Sequence, residues 1–239
     1  MTDADAAPRS VGVVVVAAGS GTRLGAAVPK AFVRLAGRTL LSYAVERIAQ
    51  VPGLASVVLV LPEGWLPGEP GYDHEVSRHL PAGTAFVAGG AERGDSVRNG
   101  LERVDPACDV ILIHDAARCL TPVSTFERVV AAVRAGAAGA VPGLPVVDTI
   151  KTVDAEGVIT GTPDRAALRA VQTPQGFDAK ALRTAYASGL SATDDAALVE
   201  TLGHHVRVVA GDPLAFKVTT PEDLARAQRL VASWAASVD

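Results

Sequence analysis

The chain has 239 residues, of which 49% are hydrophobic and 20% charged, and a formal net charge of −4 at pH 7. This length allows one large domain or two small ones with a substantial buried core, and the composition is ordinary for a globular protein. The acidic balance argues against a broad basic surface for nucleic acid, so an anionic ligand must be held by a few individually placed cations.

The N-terminal segment, MTDADAAPRS, is polar and acidic, and we expect residues 1–10 to be disordered. The apolar run after it, Val11–Ala18, is too short to cross a membrane and lacks the basic leader of a signal peptide. The two cysteines, Cys108 and Cys119, form no CxxC pattern, which favours buried thiols in a reducing compartment. We therefore expect a cytoplasmic protein that binds neither membrane nor nucleic acid.

Short apolar runs rich in β-branched residues alternate with longer segments of helical periodicity. The predicted strands are Val11–Ala18, Ser56–Leu61, Thr84–Ala88, Val110–His114, Ala138–Pro142 and His205–Ala210. The predicted helices are Leu40–Gln50, Glu92–Arg103, Val123–Gly136, Asp178–Ser188, Asp194–Leu202 and a last one from Pro221. Continuous apolar strands separated by helices indicate a sheet covered on both faces. The sequence therefore predicts an α/β fold with a doubly wound, mostly parallel sheet.

Two segments interrupt this alternation. Residues Pro62–Pro81 are rich in Pro and Gly and predict a loop with a short helix. The segment Pro145–Asp164 has no helical periodicity and predicts a β-hairpin that turns near Glu156-Gly157. Because the sequence shows no linker and no repeat, we expect a single domain over residues 1–239 with an inserted arm at 145–165.

The loop after the first predicted strand is the leading candidate for a binding site, because ligands of open α/β sheets lie beyond the carboxyl ends of the strands. Its sequence from 17 to 30, AAGSGTRLGAAVPK, begins with small residues that leave backbone N–H groups open to a phosphate. Arg23 and Lys30 add two cations. The spacing fits neither a P-loop nor the dinucleotide fingerprint of a dehydrogenase. A phosphate loop of another kind, or a glycine-rich connector with incidental charges, remains.

The pattern A-A-G-x-G-x-R-x6-K in this loop resembles the signature of nucleotidyltransferases that join a nucleoside triphosphate to a sugar or polyol phosphate. More narrowly, the chain resembles the 2-C-methyl-D-erythritol 4-phosphate cytidylyltransferase family over nearly its whole length. The further matching segments are GGAERGDSVRNGL at 89–101, HDAAR at 114–118, DTIK at 148–151, DRAALRAVQTPQGF at 164–177, TDDA at 193–196 and FKVTTPEDL at 216–224. Val16 departs from the usual Pro, and we expect no effect on the chemistry because this position ends the strand.

The resemblance implies that the chain transfers CMP from CTP to 2-C-methyl-D-erythritol 4-phosphate by in-line attack on the α-phosphate. It also implies Mg²⁺ or another divalent cation, carried mainly by the triphosphate, with Asp115 as a candidate ligand. One alternative is a cytidylyltransferase for another polyol phosphate, such as ribitol 5-phosphate. A non-catalytic nucleotide-binding dimer is disfavoured, because Arg23, Lys30, Arg165 and Lys217 are all present.

The resemblance also assigns residues to the nucleotide. It implies that Arg23, Lys30 and Lys217 are catalytic cations, which would neutralise the charge that develops around phosphorus. We expect Lys217, between Phe216 and Val218, to lie at the end of a strand and face the pocket. The residues implied for CTP are Ala17, Ala18, Gly19, Gly21, Arg23, Lys30, Gly89, Gly90 and Ser96, of which the last three would form the cytosine pocket.

A second set is implied for the polyol phosphate: Asp115, Thr149, Arg165, Thr193 and Lys217. Asp115 follows a predicted strand, where an aspartate is otherwise often a helix N-cap. Arg93 is either a support for the cytosine pocket or a surface cation, and Arg118 and Asp194 are candidates for a supporting role. His114 is expected to be structural.

The arm at 145–165 carries more apolar side chains than a hairpin exposed to water can accommodate. A two-stranded hairpin alone is marginally stable, and the insertion contains no helix to cover it. We therefore expect a two-fold symmetric homodimer in which each arm covers the other, as the family resemblance also implies. Arg165, at the end of the arm, would then reach the active site of the other chain.

Overall fold

The computed structural model describes residues 10–19, 21, 24–190 and 192–235. Its strands are β1 (Val11–Val16), β2 (Arg34–Leu35), β3 (Arg38–Thr39), β4 (Leu54–Leu61), β5 (Ala85–Ala88), β6 (Val110–Asp115), β7 (Gly139–Pro145), β8 (Thr152–Val153), β9 (Ile159–Gly161), β10 (Arg169–Val171), β11 (Gln175–Asp178) and β12 (Val206–Ala210). Its helices are α1 (Leu40–Ile48), α2 (His74–Ser77), α3 (Arg93–Leu101), α4 (Val123–Arg134), α5 (Ala179–Ala187), α6 (Asp195–Thr201) and α7 (Pro221–Ala235).

Eight strands form the main sheet, and most of them run parallel. Strand β1 pairs with β4 on one side and β6 on the other, and β4 continues to β5. Strand β11 runs antiparallel between β6 and β7, β10 pairs antiparallel with the end of β7, and β12 lies parallel to β7. The mostly parallel α/β sheet is confirmed, whereas the two antiparallel strands were not predicted from the sequence.

Alternate residues of β1 pack against opposite layers of helices, because successive side chains of a strand point to opposite faces. Val11, Val13 and Val15 pack with α1 and α4, while Val14 packs with α3, α5 and α6. All four valines are fully buried. Helices therefore cover both faces, as a doubly wound fold requires, and polar groups can reach a ligand only from the ends of the central strands.

The arm contains a short hairpin, in which Thr152 and Val153 of β8 pair antiparallel with Gly161 and Ile159 of β9. Its turn includes Gly157 at φ +83°, a left-handed backbone conformation that favours glycine. Val147 is 79% exposed, and Val153, Val158 and Ile159 are each more than half exposed. The arm thus presents an apolar surface within a single chain. That the chain is a single domain with residues 145–165 as an inserted arm stays a prediction.

Several boundaries differ from the predictions. Strand β1 ends at Val16 rather than Ala18, so Ala17 and Ala18 already belong to the loop. Of the segment predicted to be disordered, residues 1–9 lie outside the described residues, while the Ser10 carbonyl accepts the Asp109 N–H at 3.0 Å. Among the described helices, none combines the length and hydropathy needed to span a bilayer.

Candidate active site

A pocket of about 420 Å³ lies at the carboxyl ends of β1 and β6, beside the loop that follows β5. This is the edge at which ligands of open α/β sheets bind, and the volume is typical of small-molecule sites. From the predicted polyol-phosphate set it is lined by Asp115 and Lys217. From the predicted nucleotide set it is lined by Ala17, Ala18, Gly19, Lys30, Gly90 and Ser96.

The loop after β1 brings Lys30 to the pocket by a close backbone approach. The Ala17 N–H donates to the Val60 carbonyl at 2.9 Å, which anchors the loop to β4. Gly21 has φ +68°, and a Cβ at this position would lie 2.4 Å from the Cβ of Lys30. Gly21 is therefore needed both for its conformation and for its lack of a side chain. Arg23 lies outside the described residues.

Lys30 begins a single 3₁₀ turn, Lys30–Phe32, whose buried Phe32 ring packs on Trp65 with ring centroids 4.3 Å apart. Trp65 belongs to the segment 62–81, for which the sequence predicts a loop with a short helix. That segment contains α2 and packs against the turn that begins at Lys30. The backbone position of Lys30 is thus supported by aromatic packing behind it.

The loop after β5 contacts the loop after β1 with no side chain between them. A Cβ on Gly89 would lie 2.3 Å from the Cβ of Ala18, and one on Gly90 would lie 2.3 Å from the Cβ of Asp95. The Gly90 N–H donates to the buried Ser96 hydroxyl at 3.1 Å. These contacts form one wall of the pocket from backbone and small side chains, of which Ala18, Gly90 and Ser96 line the cavity and Gly89 does not.

The opposite wall carries an ion cluster centred on Asp115, the last residue of β6. Lys217 Nζ lies 2.7 Å from Asp115 Oδ2, and Arg93 Nε lies 3.4 Å from Oδ1. The Asp115 N–H donates to the Thr173 hydroxyl at 3.0 Å. Burial alone would raise the pKa of Asp115, but the adjacent Arg93 and Lys217 cations hold it well below its usual range. Asp115 is therefore ionised and places two cations at the pocket.

Arg93 is paired with two carboxylates at the edge of the pocket, with about one-third of its side chain exposed, and its support of a cytosine pocket stays a prediction. Its Nη2 lies 2.8 Å from Oδ2 of Asp195, which is fully buried. Burial would lower the pKa of Arg93, but Asp195 and Asp115 raise it above its ordinary value. Sequence reasoning missed Asp195. The signal was its spacing from Leu198 and Val199, which places the three on one buried helical face.

Lys217 faces the pocket as expected, but the prediction that it ends a strand is wrong. It lies in an irregular segment after the 3₁₀ turn Pro213–Ala215, where the Asp212 side chain accepts the Leu214 N–H at 2.8 Å. The Val218 N–H donates to the Ala117 carbonyl at 2.9 Å and fixes this segment beside β6. The apolar residues that suggested a strand pack instead in the cluster that includes α7.

The remaining predicted residues do not line this pocket within one chain. Thr149 and Arg165 are exposed on the arm, where Arg165 Nη1 donates to the Val147 carbonyl at 2.7 Å. Thr193 lines a neighbouring hollow of about 250 Å³, which shares Arg93 with the pocket. Asp194 accepts the Ala197 N–H at 2.8 Å as the N-cap of α6. The pocket and the arm thus divide the predicted site into two groups of residues.

His114 and Arg118 support the pocket from behind. His114 is buried, and its Nδ1 lies 3.1 Å from the Thr173 hydroxyl. Burial lowers the pKa of His114 to about 4, so the ring is neutral at physiological pH. Arg118 Nη1 donates to the Ala215 carbonyl at 2.7 Å, which ties the HDAAR segment to the segment that carries Lys217.

Known proteins are similar to this chain in sequence and in fold. The family model described as IspD, 2-C-methyl-D-erythritol 4-phosphate cytidylyltransferase, matches residues 11–233. A 2-C-methyl-D-erythritol 4-phosphate cytidylyltransferase from Nocardia farcinica is 51% identical over 232 residues, which cover 97% of this chain and 97% of that one.

Solved structures agree. The crystal structure of 2-C-methyl-D-erythritol 4-phosphate cytidylyltransferase from Thermus thermophilus is 36% identical, with a TM-score of 0.73 over 92% of this chain and 98% of that one. The structure of 4-diphosphocytidyl-2C-methyl-D-erythritol synthase from Anaerococcus prevotii is 26% identical, with a TM-score of 0.78 over 94% and 99%. The chain belongs to the 2-C-methyl-D-erythritol 4-phosphate cytidylyltransferase family and is a nucleotidyltransferase.

Proposed function

We propose that this chain transfers CMP from CTP to 2-C-methyl-D-erythritol 4-phosphate, giving 4-diphosphocytidyl-2-C-methyl-D-erythritol and pyrophosphate. The observation that carries the proposal is the composition of the pocket. Lys217 and Arg93, both paired with Asp115, line it. Lys30 and the two loops of small residues line the same cavity. Family membership gives the proposal its substrates. It does not favour the alternative of ribitol 5-phosphate.

The chemistry asks for placed positive charge rather than for a covalent intermediate. An ionised phosphate oxygen of the polyol substrate attacks the α-phosphorus of CTP in line, and the bond from that phosphorus to the bridging oxygen of pyrophosphate breaks. The attacking oxygen carries no proton at neutral pH, so no general base is needed. Cations fixed beside the crowded phosphorus lower the barrier through electrostatic stabilisation and orientation. Lys30, Lys217 and Arg23 are the proposed catalytic cations.

We assign cytosine to the wall formed by Gly89, Gly90 and Ser96, and the triphosphate to the loop 17–21. The assignment is supported by the close contact between the two loops, where the lack of side chains at Gly89 and Gly90 leaves a narrow wall of backbone and small groups beside Ser96. A pocket that reads the edge of a base by hydrogen bonds rejects analogues that leave those groups unpaired. We expect CTP to be preferred over UTP, with purine nucleotides excluded by size.

We propose that Mg²⁺ enters with CTP as part of the substrate. Both Asp115 oxygens already have cationic partners, Lys217 and Arg93. Among the described residues no group of three or more His, Cys, Asp or Glu is arranged to hold a metal. Such a site suits a Mg²⁺ ion that keeps its waters and binds mainly to substrate phosphates. Asp115 would bind the ion directly only by giving up Lys217 or Arg93.

We further propose a homodimer in which the arm, residues 145–165, completes the partner's site. The exposed apolar side chains of the arm, Val147 at 79% above all, support this arrangement. Thr149 and Arg165 would then bind the polyol phosphate of the other chain, where a guanidinium can form paired hydrogen bonds to phosphate. Thr193, next to Arg93, is the remaining proposed contact to this substrate.

We place the enzyme in the cytoplasm, without a nucleic-acid partner. Cys108 and Cys119 are both free and buried, as thiols of a reducing compartment are expected to be. Burial raises the pKa of Cys119 to about 12, which keeps this thiol protonated and unreactive.

The decisive experiment follows pyrophosphate release by the purified protein with CTP, Mg²⁺ and a panel of polyol phosphates. We expect turnover with 2-C-methyl-D-erythritol 4-phosphate, little with ribitol 5-phosphate, and none in excess chelator. Mass spectrometry of the product checks that CMP has been transferred. Turnover of ribitol 5-phosphate without turnover of methylerythritol phosphate would overturn the substrate assignment, and full activity in chelator would overturn the role of Mg²⁺.

A further inference from the structure

A buried carboxylate behind the pocket wall has no part in the roles proposed above. Asp195, the first residue of α6, has no exposed surface. Its Oδ2 lies 2.8 Å from Arg93 Nη2, and its Oδ1 accepts a hydrogen bond from the Tyr186 hydroxyl at 2.5 Å. A buried ion pair often stabilises a fold no better than apolar residues of the same size would. This points to a role in arranging Arg93 rather than in stability alone.

Arg93 spans two carboxylates, and this fixes its orientation. One edge of the guanidinium meets Asp195, while Nε faces Asp115 at 3.4 Å. Because the guanidinium is planar and rigid, holding one edge sets the direction of the other. The second oxygen of Asp115 is held by Lys217 at 2.7 Å. A continuous series of contacts therefore runs from the buried Asp195 through Arg93 and Asp115 to the Lys217 ammonium.

The charges in this series are balanced as long as Asp195 is present, with two cations against two carboxylates. Arg93 is about one-third exposed at the pocket, and its long side chain has many alternative rotamers. Without Asp195, the incoming triphosphate would compete with Asp115 for the guanidinium. Asp115 would then lose one of its two partners, and Lys217 would no longer be directed by a fixed carboxylate.

We infer that Asp195 is a positioning residue, which holds Arg93 against Asp115 and thereby sets where the Lys217 ammonium meets the reacting phosphates. The inference rests on the proposed function. It differs from a structural role because the effect of Asp195 must pass through Arg93. Changing Asp195 should therefore alter the rate of the chemical step only when Arg93 is present.

A double-mutant cycle tests this with Asp195→Asn, Arg93→Ala and the double variant, each assayed for kcat and for the KM of CTP. Asparagine keeps the shape and can still accept from Tyr186, but it removes the charge. We expect Asp195→Asn to lower kcat ~10-fold with Arg93 present and less than ~2-fold in the Arg93→Ala background, as for directly interacting residues. Losses in kcat that multiply independently would overturn the inference.

Two matched variants separate positioning from general damage. Asp109→Asn removes another arginine-paired carboxylate, 3.1 Å from Arg134 Nη2 and at the opposite end of β6, and should leave kcat unchanged. Tyr186→Phe removes the other hydrogen bond to Asp195 but keeps its ion pair with Arg93. It should lower the Tm while kcat stays within ~3-fold, because hydrogen-bond loss acts chiefly on stability. An equal loss of kcat in Tyr186→Phe and Asp195→Asn would count against the inference.

Arg93→Lys carries the test if Asp195→Asn does not fold. A single ammonium keeps the charge but cannot span both carboxylates, so kcat should fall nearly as far as in Arg93→Ala. Wild-type kcat in Arg93→Lys would overturn the inference. The unmodified enzyme is assayed in the same series, and its failure to turn over both substrates would refute the proposed function, and this inference with it.

Discussion

The pocket and the arm both carry residues that the sequence assigns to phosphate binding, but they are organised in opposite ways. At the pocket, Asp115 holds Lys217 and Arg93 at fixed distances within a single chain. On the arm, Arg165 is exposed and donates only to a backbone carbonyl of the same arm. The pocket is preorganised by the sheet, whereas Arg165 and the apolar side chains of the arm are exposed in the single chain. In the proposed dimer, a site assembled from both halves would join the fixed charges of one chain to the arm of the other.

The largest effects are expected from removing one cation of the pocket, Lys30, or one cation of the arm, Arg165. Lys30→Ala and Arg165→Ala should each lower kcat by ~10²–10³-fold, as does removal of one charge-stabilising group in other enzymes. The Tm should hardly change in either variant, because cations near the surface contribute little to stability. Steady-state pyrophosphate release gives the rate constants. Lys180→Ala, at an exposed position on α5, is the control with unchanged kcat. A normal kcat in Arg165→Ala would remove the arm from the site.

Co-expression of these two inactive variants tests whether the halves come from different chains. In a mixed dimer, one of the two sites combines an intact Lys30 with an intact Arg165 from the partner. Random mixing makes about half of the dimers mixed, so activity should recover to roughly a quarter of wild type. Two affinity tags allow mixed dimers to be isolated and assayed. Isolated mixed dimers without turnover would show that Arg165 does not act across the interface.

A smaller effect is expected from Gly89→Ala, which probes the pocket alone. Its new Cβ would lie 2.3 Å from the Cβ of Ala18, so the two loops would have to separate. We expect the KM of CTP to rise ~10-fold, in line with the cost of overpacking, with little change in oligomeric state. Gly94→Ala in α3 meets nothing within 4 Å and serves as the control. An unchanged KM in Gly89→Ala would move the nucleotide away from this wall.

The smallest effect on activity is expected from a change at His114. This residue should instead affect how the stability of the fold depends on pH. Burial lowers its pKa from 6.5 to about 4, so between these values the unfolded chain binds a proton that the folded chain excludes. The free energy of unfolding should therefore fall by about 3 kcal/mol as pH drops from 6.5 to 4. His114→Gln should remove this dependence. Urea unfolding at several pH values measures it, and identical slopes for both proteins would contradict the prediction.

The sequence predicted well the strands that are made of buried apolar residues, and less well those that contain polar or exposed residues. Runs such as Val13–Val16 show a strand directly, and the end of one such run located Asp115. Strand β10 was missed because its three residues are exposed and form no apolar run, and β11 was missed because it begins with the polar Gln175. Gln172 is buried by hydrogen bonds to the backbone of Asp212, and the Gln175 side chain accepts the Ala196 N–H at 3.1 Å. Local periodicity contains no trace of such distant partners.

The same limit applies to the candidate site. The resemblance to a family motif identifies Lys217 as a site residue. Its apolar neighbours predict a strand, whereas the structure has a 3₁₀ turn capped by Asp212 followed by an irregular segment. The sequence analysis names Asp194, the N-cap of α6, as a supporting residue and does not name Asp195. The helical spacing from Leu198 and Val199 favours Asp195 as the inward carboxylate, and the packing of α6 in one cluster with α3 and α5 shows that this face is buried. Site residues set by loops and by long-range ion pairs therefore need the structure.

The packing of Trp65 on Phe32 gives the enzyme an intrinsic optical probe. The chain has only two tryptophans, and Trp65 lies against the turn that begins at Lys30. The other, Trp234, belongs to α7, where Arg47 lies over its ring. Replacing Trp234 by Phe would leave a single tryptophan, beside the turn that begins at Lys30. Its emission in stopped-flow mixing would then test whether CTP changes the surroundings of this turn, without any attached dye.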